Sequence, residues 1–206
     1  MANRATSNLN ALNNLAAGDL INISEDQGGG SYISKKLSAS NFDMVKGIRY
    51  YGLSATDPTT PTPADGDEYY NTVLDKKMYY DGGSKAKWLS IETITMYFGR
   101  AGNTLAGSYY RATNGLAYSS TNGFYLPWNV TITGLGYTRD DTDSATFEVT
   151  SGGVGTTATL ASGAVAGSTT ALNVNVASAN VLGVRNQTGG NTTTNVHGWV
   201  FLKWRI

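Results

Sequence analysis

The sequence has no cysteine, a single histidine at position 197 and only four prolines in 206 residues. Without cysteine there are no disulfide frameworks, thiol nucleophiles, redox pairs or zinc sites of the Cys/His kind. One histidine leaves a Ser-His-Asp triad a single base, and no Gly-x-Ser-x-Gly elbow exists to present a serine. Charge is scarce as well, at 15% of residues, against roughly 25% in an average globular chain. Fifteen cations balance fifteen anions, so no basic face is expected to displace counterions from a nucleic acid. No apolar run approaches the ~20 residues that span a bilayer, and no membrane insertion is expected. Behind Arg4 there is no apolar stretch, so no signal peptide is expected either. Asn22, Asn129, Asn186 and Asn191 head sequons, which a Thr- and Asn-rich chain produces by chance.

What fills the space is Ser, Thr and Asn, about three residues in ten, with 25 glycines and 13 tyrosines. That composition reads as strands and turns. The charges are unevenly spread, with 21 of the 30 in residues 1–100, a shift of the kind that marks domain boundaries.

Residues 1–50 are thin on hydrophobes and read as a small α+β anchor. Leu9, Leu12 and Leu15 line one side of a short helix, and Asp19–Ile23 reads as a strand. A second strand carries Tyr32, Ile33 and Leu37, after which Ser38 or Ser40 caps a short helix through Phe42, Met44 and Val45. Such a segment buries little core alone and is expected to need a partner surface. Residues 51–95 read as a strut plus a small β-hairpin module. Three of the four prolines fall in 56–66, which favours extended polyproline geometry. Glu68-Tyr-Tyr-Asn, Met78-Tyr-Tyr and Trp88-Leu-Ser then form a three-stranded unit. Residues 96–106 read as a linker, and 107–206 as the main β domain.

In that last domain apolar residues alternate at Phe124 and Leu126, at Val130 and Ile132, and at Ala145, Phe147 and Val149. They do so again at Leu172, Val174 and Val176, at Leu182 and Val184, and from Val196 through Val200 and Leu202 to Trp204. Period-two alternation in six or more strands bounded by Gly, Asn, Ser or Asp predicts an antiparallel sandwich or jelly roll. The phase slips around Gly134, which predicts a bulge. The fold class is therefore mainly β.

Candidate chemistry is sparse. His197 falls in the last strand, in phase with Trp199 and Phe201, and reads as structural or interfacial. Gly28–Gly30 and Gly152–Gly155 neither open a helix nor precede a Lys-Ser/Thr pair, so they read as strand connections. Asp140, Asp141 and Asp143 offer hard oxygen ligands, but lack the glycine and distal glutamate of a calcium loop; a solvated turn is the plainer reading. No enzymatic activity, catalytic residue, cofactor or metal is expected. Tyrosine pairs at Tyr50–Tyr51, Tyr69–Tyr70, Tyr79–Tyr80 and Tyr109–Tyr110 each send one ring to either side of a strand. Subunit packing, internal sheet packing and glycan contact all remain open for the outward rings. If the even-numbered residues of the last strand fill the core, Trp199 and Phe201 share its outer face, where two large aromatics favour contact with another chain. Trp199, Phe201, Tyr109 and Tyr110 are the candidate subunit-interface residues; no residue is assigned to a glycan.

The stretch Leu12-Asn-Asn-Leu-Ala-Ala-Gly-Asp-Leu-Ile, with Ser34-Lys-Lys-Leu-Ser-Ala-Ser-Asn-Phe42, resembles the attachment segment of tailed-bacteriophage fibre proteins. Gly66-Asp-Glu-Tyr-Tyr-Asn-Thr72, Lys76-Lys-Met-Tyr-Tyr-Asp-Gly82 and Trp88 resemble hairpin modules of the same proteins. Leu126-Pro-Trp-Asn-Val-Thr-Ile, Ala145-Thr-Phe-Glu-Val and Leu172-Asn-Val-Asn-Val resemble the jelly-roll tips of short fibres. The resemblance implies a homotrimeric virion fibre or decoration protein, assembled in a bacterial cytoplasm and attached to head or tail. Residues 1–50 would bind another virion protein, and the tip would face host surface glycans. Two alternatives stand beside it: a non-viral carbohydrate-binding module and a polysaccharide-degrading spike.

Overall fold

The computed structural model describes residues 20–26, 32–38, 49–84, 86–187 and 189–206. The chain divides into two compact units, 1–48 and 49–206. In the first, β1 (Leu20–Asp26) and β2 (Tyr32–Ser38) form an antiparallel hairpin in which Leu20 faces Ser38 and Asp26 faces Tyr32. The two strands expected there are present. The helices expected at Leu9–Leu15 and behind Ser38 or Ser40 fall outside the described residues. Among the described residues the chain is mainly β and contains no helix.

The second unit starts with a four-stranded sheet: β3 (Tyr50–Ser54), β4 (Glu68–Asn71), β5 (Lys76–Tyr80) and β6 (Trp88–Ser90). The β4-β5-β6 meander is the expected three-stranded unit, and β3 adds a fourth strand parallel to β4. Asn71 shapes the tight turn, because its buried Oδ1 accepts from the backbone N–H groups of Val73 and Leu74. Trp88 is the centre of the small core. Tyr51, Tyr69 and Tyr80 meet it edge-on, with ring centroids 5.8, 4.9 and 5.2 Å away.

The proline-rich segment is not a strut. Parallel strands need a crossover, and residues 55–67 supply it, bound down against the module along their length. The Trp88 indole N–H donates to the Pro58 carbonyl at 3.1 Å, the Tyr51 hydroxyl to the Pro61 carbonyl at 2.6 Å, and the Tyr69 hydroxyl to Asp57 at 2.6 Å. Burial raises the Asp57 pKa above the usual carboxylate range, while the Tyr69 bond pulls it back.

The remaining strands are β7 (Ile94–Thr104), β8 (Phe124–Tyr125), β9 (Val130–Thr138), β10 (Ala145–Ser151) and β11 (Val154–Ser162), then β12 (Ala166–Thr169), β13 (Val174–Val176), β14 (Val181–Asn186) and β15 (Thr193–Trp204). One sheet runs β12-β9-β15-β7, with β13 also on β9; the other runs β11-β10-β14-β8. Their inner faces share one core. Tyr137 of one sheet stacks on Phe147 of the other at 4.4 Å, and Phe98 and Tyr110 complete the aromatic centre. This is a β-sandwich. The expected bulge is present: Phe201 faces Gly134 but Leu202 faces Ile132, so Thr133 is the extra residue.

The expected linker at 96–106 is corrected. Met96 and Phe98 are core residues of β7, which pairs with β15 from Ile94 to Thr104. The glycines of Gly-Arg-Ala-Gly-Asn imitate a linker, but the partner strand supplies the order. The hairpin module sits directly on the sandwich. Trp204 touches both cores, its backbone N–H donates to Ser90 Oγ at 2.9 Å, and Lys203 Nζ donates to the Ser90 and Ile91 carbonyls at 3.0 Å.

Replacing Trp88 by Ala removes a side chain buried among three rings and should cost about 3–5 kcal/mol in urea unfolding. It also frees the Pro58 carbonyl, so protease cleavage within Thr59–Pro63 should accelerate. Unchanged cleavage there would contradict the packed crossover.

Candidate functional site

Pleating splits β15 into two faces. Val196, Val200 and Leu202 enter the core, while His197, Trp199, Phe201 and Lys203 point outward. Trp199 lies opposite Gly136 and Phe201 opposite Gly134 on β9. A Cβ on Gly136 would fall 2.5 Å from the Trp199 ring, and one on Gly134 2.8 Å from the Phe201 ring. Both aromatics therefore lean across β9 into spaces that only glycine leaves open, which half-buries them. On the other side, Tyr97 of β7 faces Trp199 and remains 47% exposed. The exposed His197 stacks on it, centroids 6.2 Å apart. Four rings thus share one sheet face. Lys203, next along, is engaged by the hairpin module: it also sits 4.8 Å over the Tyr79 ring, and burial lowers its pKa.

Of the four residues assigned to a subunit interface by sequence, Trp199 and Phe201 stand together on this face. Tyr110 does not, and its assignment is corrected: it is 0% exposed, inside the sandwich. The cause is a closure between the sheets. Residues 107–111 pair with β14 through Tyr110 N–H to the Val184 carbonyl and with β7 through the Gly99–Arg111 bridge. The Tyr110 ring therefore drops into the core, where its hydroxyl meets Thr193 Oγ1 at 2.8 Å. Tyr109 is half-buried, packs against the same core and donates to the Gly153 carbonyl at 3.3 Å. Burial pushes the Tyr110 pKa up to about 12, and burial alone does the same for Tyr118.

The closure also shapes an open cleft of about 410 Å³ at the β7 edge. Tyr97, Gly99, Arg100, Arg111, Asn195 and His197 are among the residues that line it. A second cleft of about 430 Å³ lies where the module meets the sandwich, beside Tyr79, Asp81, Phe201 and Lys203.

Two of the three carboxylates of the 140–143 turn, Asp140 and Asp141, are tied internally. Asp141 pairs with buried Arg139 at 2.9 Å and accepts from the Thr194 backbone N–H, while Asp140 accepts from the Asn195 amide at 2.7 Å. No group of three metal-binding side chains occurs among the described residues. Gly152 and Gly153 turn β10 into β11 at φ values of 57° and 83°, the strand connection their spacing suggested; Gly28–Gly30 fall outside the described residues.

Sequence reasoning passed over Tyr97, Arg100 and Arg111. Tyr97 alternates with Met96 and Phe98 as a strand residue should, and that signal was available. The two arginines carry no local signal, because only the closure brings them to one cleft. No protein-family model matches the chain, and no curated protein or solved structure matches it significantly.

A tyrosine pKa raised on folding means the native state holds its proton more tightly. The stability this contributes is full below pH 10 and is lost as pH rises towards 12. Unfolding free energy should therefore fall between pH 10 and 12, and less steeply in a Tyr110→Phe/Tyr118→Phe variant. Equal slopes would contradict the burial of these hydroxyls.

Proposed function

We propose that the protein is a structural component of a tailed-bacteriophage particle. In this reading it is a homotrimer, held to head or tail by residues 1–50, with the sandwich turned outward for adhesion to host glycans. The order of the resembling segments along the chain supports it: attachment segment, hairpin module, tip. Strand order adds to that support. With β12 and β13 read as one broken strand, β7-β15-β9-β12 against β8-β14-β10-β11 is the eight-strand pattern of a jelly roll.

The observation that carries the trimer is the ring-bearing outer face. Trp199 and Phe201 stand together, half-buried, on one sheet face, with the exposed Tyr97 beside Trp199. Contiguous aromatic surface of this kind on a soluble chain marks an interaction site, and large aromatic side chains are enriched in interfaces. Cyclic association would pack three copies of the face around one axis. Weak glycan contacts on three rigidly joined tips would then gain avidity. No catalytic group or cofactor enters this reading.

Light scattering on eluted protein should give about 65 kDa, three times the 21.8 kDa chain. Trp199→Ser/Phe201→Ser should lower the mass to one chain with its circular dichroism retained, while Thr142→Ser/Thr157→Ser, at exposed positions, should leave a trimer. A wild-type monomer would overturn the proposal.

A further inference from the structure

We infer that the groove between the hairpin module and the outer face of the β9-β15 sheet binds a neutral oligosaccharide, with the Asp81 carboxylate accepting from its hydroxyl groups. This names the ligand class for the adhesion reading above and rests on that reading for its biological setting.

Strand register shows which side chains turn into the groove. Lys203 points outward from β15 and lies opposite Thr131 on β9, so both stand on the outer face of that sheet. Thr131 is nonetheless only 1% exposed, and Gly83, Ser84 and Leu89 of the module line the same hollow as it does. On the module side, Tyr79 of β5 lies opposite Leu89 of β6, on the strand faces turned away from Met78 and Trp88 of the small core. The Lys203 ammonium is 4.8 Å from the Tyr79 ring centroid, so that side of the module looks onto the sheet. Two hollows of about 430 and 210 Å³ share Asp81, Thr133, Thr170 and Leu172 as lining residues and form one groove. It is braced at both ends. Lys203 donates to the Ser90 and Ile91 carbonyls at one, and the Asn173 amide donates to the Gly83 carbonyl at 2.9 Å at the other. A site held in shape before the ligand arrives loses less freedom on binding.

The chemistry of the walls selects the ligand. Among the described lining residues the charged ones are Asp81 and Lys203, one of each sign, and the Lys203 ammonium is already spent on two carbonyls and a ring. Asp81 is fixed by its own turn, where Oδ1 accepts from the Gly83 backbone N–H at 2.9 Å and the backbone carbonyl from Ser84 N–H at 3.0 Å. Burial raises the Tyr79 pKa and lowers that of Lys203, and the Asp81 charge raises both, so this carboxylate is felt on both walls. Its Oδ2 takes no bond among the described residues. An anion would be repelled here with no uncommitted cation to offset it, and a cation would compete with Lys203. A neutral ligand rich in hydroxyls meets neither penalty. Its O–H groups donate to the carboxylate in bonds about twice as strong as neutral ones. They also meet threonine hydroxyls, which both donate and accept. Thr133 commits only its proton, to the Phe201 carbonyl at 3.3 Å, and Thr93 and Thr170 stand exposed at the mouth. Junctions between packed parts favour sites of this size, and two adjoining lobes suit more than one sugar ring. Phe201 bounds the groove, but its ring rests on Gly134 and is not counted as a ligand contact. At ~3.3 Å per residue, Lys203 lies about 13 Å along β15 from Trp199, so copies that meet around Trp199 and Tyr97 need not cover Asp81.

The test is calorimetric titration of the full chain with neutral tetrasaccharides of glucose, galactose, mannose and N-acetylglucosamine. Each is also tested with its C6 hydroxymethyl groups oxidised to carboxylates. At least one neutral probe should bind, and more tightly than its oxidised form. Asp81→Asn, which keeps an acceptor for the Gly83 N–H, should weaken that binding about fivefold or more, as expected when a charged hydrogen bond becomes a neutral one. Thr170→Trp places a bulky ring at an exposed position shared by both lobes and should abolish binding. Thr157→Trp, exposed on the opposite sheet, should change nothing, and circular dichroism should be the same in all three. A neutral probe that binds the wild type and Asp81→Asn equally would overturn the groove assignment and leave adhesion standing. Oxidised probes that bind more tightly than neutral ones would do the same. Binding by none of the probes would also overturn the groove, while the mass of the same sample reads the trimer independently, a monomer overturning it.

Discussion

Strand β15 is apolar on both of its faces, and that double use organises residues 49–206. Inward, Val196, Val200 and Leu202 join both sheets in one core. Outward, Trp199 and Phe201 rest on the glycines of β9. At its end, Trp204 and Lys203 seat the hairpin module. A central strand polar on one face would suit a sheet that meets solvent there. Rings on the solvent side instead leave apolar area that the sandwich does not need for its own core, which is why the outer face carries the functional reading.

The glycines of β9 show how close the constraint is. Gly134 and Gly136 leave room for two rings directly over the backbone, and any side chain there would lift them. The rings are thereby half-buried against the strand. A rigid aromatic surface loses little conformational freedom when a partner covers it. The bulge at Thr133 lies between the stretches where β13 and β12 pair with β9, so the same strand turns its two ends toward different neighbours.

Much of the sandwich was legible in the sequence because large apolar residues alternate with polar ones in β9, β10, β14 and β15. The Gly134 bulge was legible for the same reason, since a phase slip needs a clear phase on either side. Strands β11 and β12 were not, because Gly, Ala, Ser and Thr fill them and leave no contrast between the two faces. Strand β7 was hidden by Gly99, Ala101 and Gly102, which read as linker until β15 lies beside them. Tyr110 was misplaced because its direction depends on the 107–111 closure, a contact between distant segments that local alternation does not encode. Trp199 and Phe201 were legible as a pair, whereas the cleft at Arg100 and Arg111 depends on that same closure.

The absence of native cysteine allows the central claim, that the ring-bearing face is where copies meet, to be measured directly with single spin labels. Thr138 lies exposed on that face beside His197, and Thr157 is exposed on the outer surface of the opposite sheet. Pulsed dipolar spectroscopy on singly labelled Thr138→Cys and Thr157→Cys proteins reads only distances between copies. The account predicts a well-defined distance for Thr138 that is shorter than the one for Thr157. A shorter distance at Thr157, or no distance between copies at either site, would contradict it.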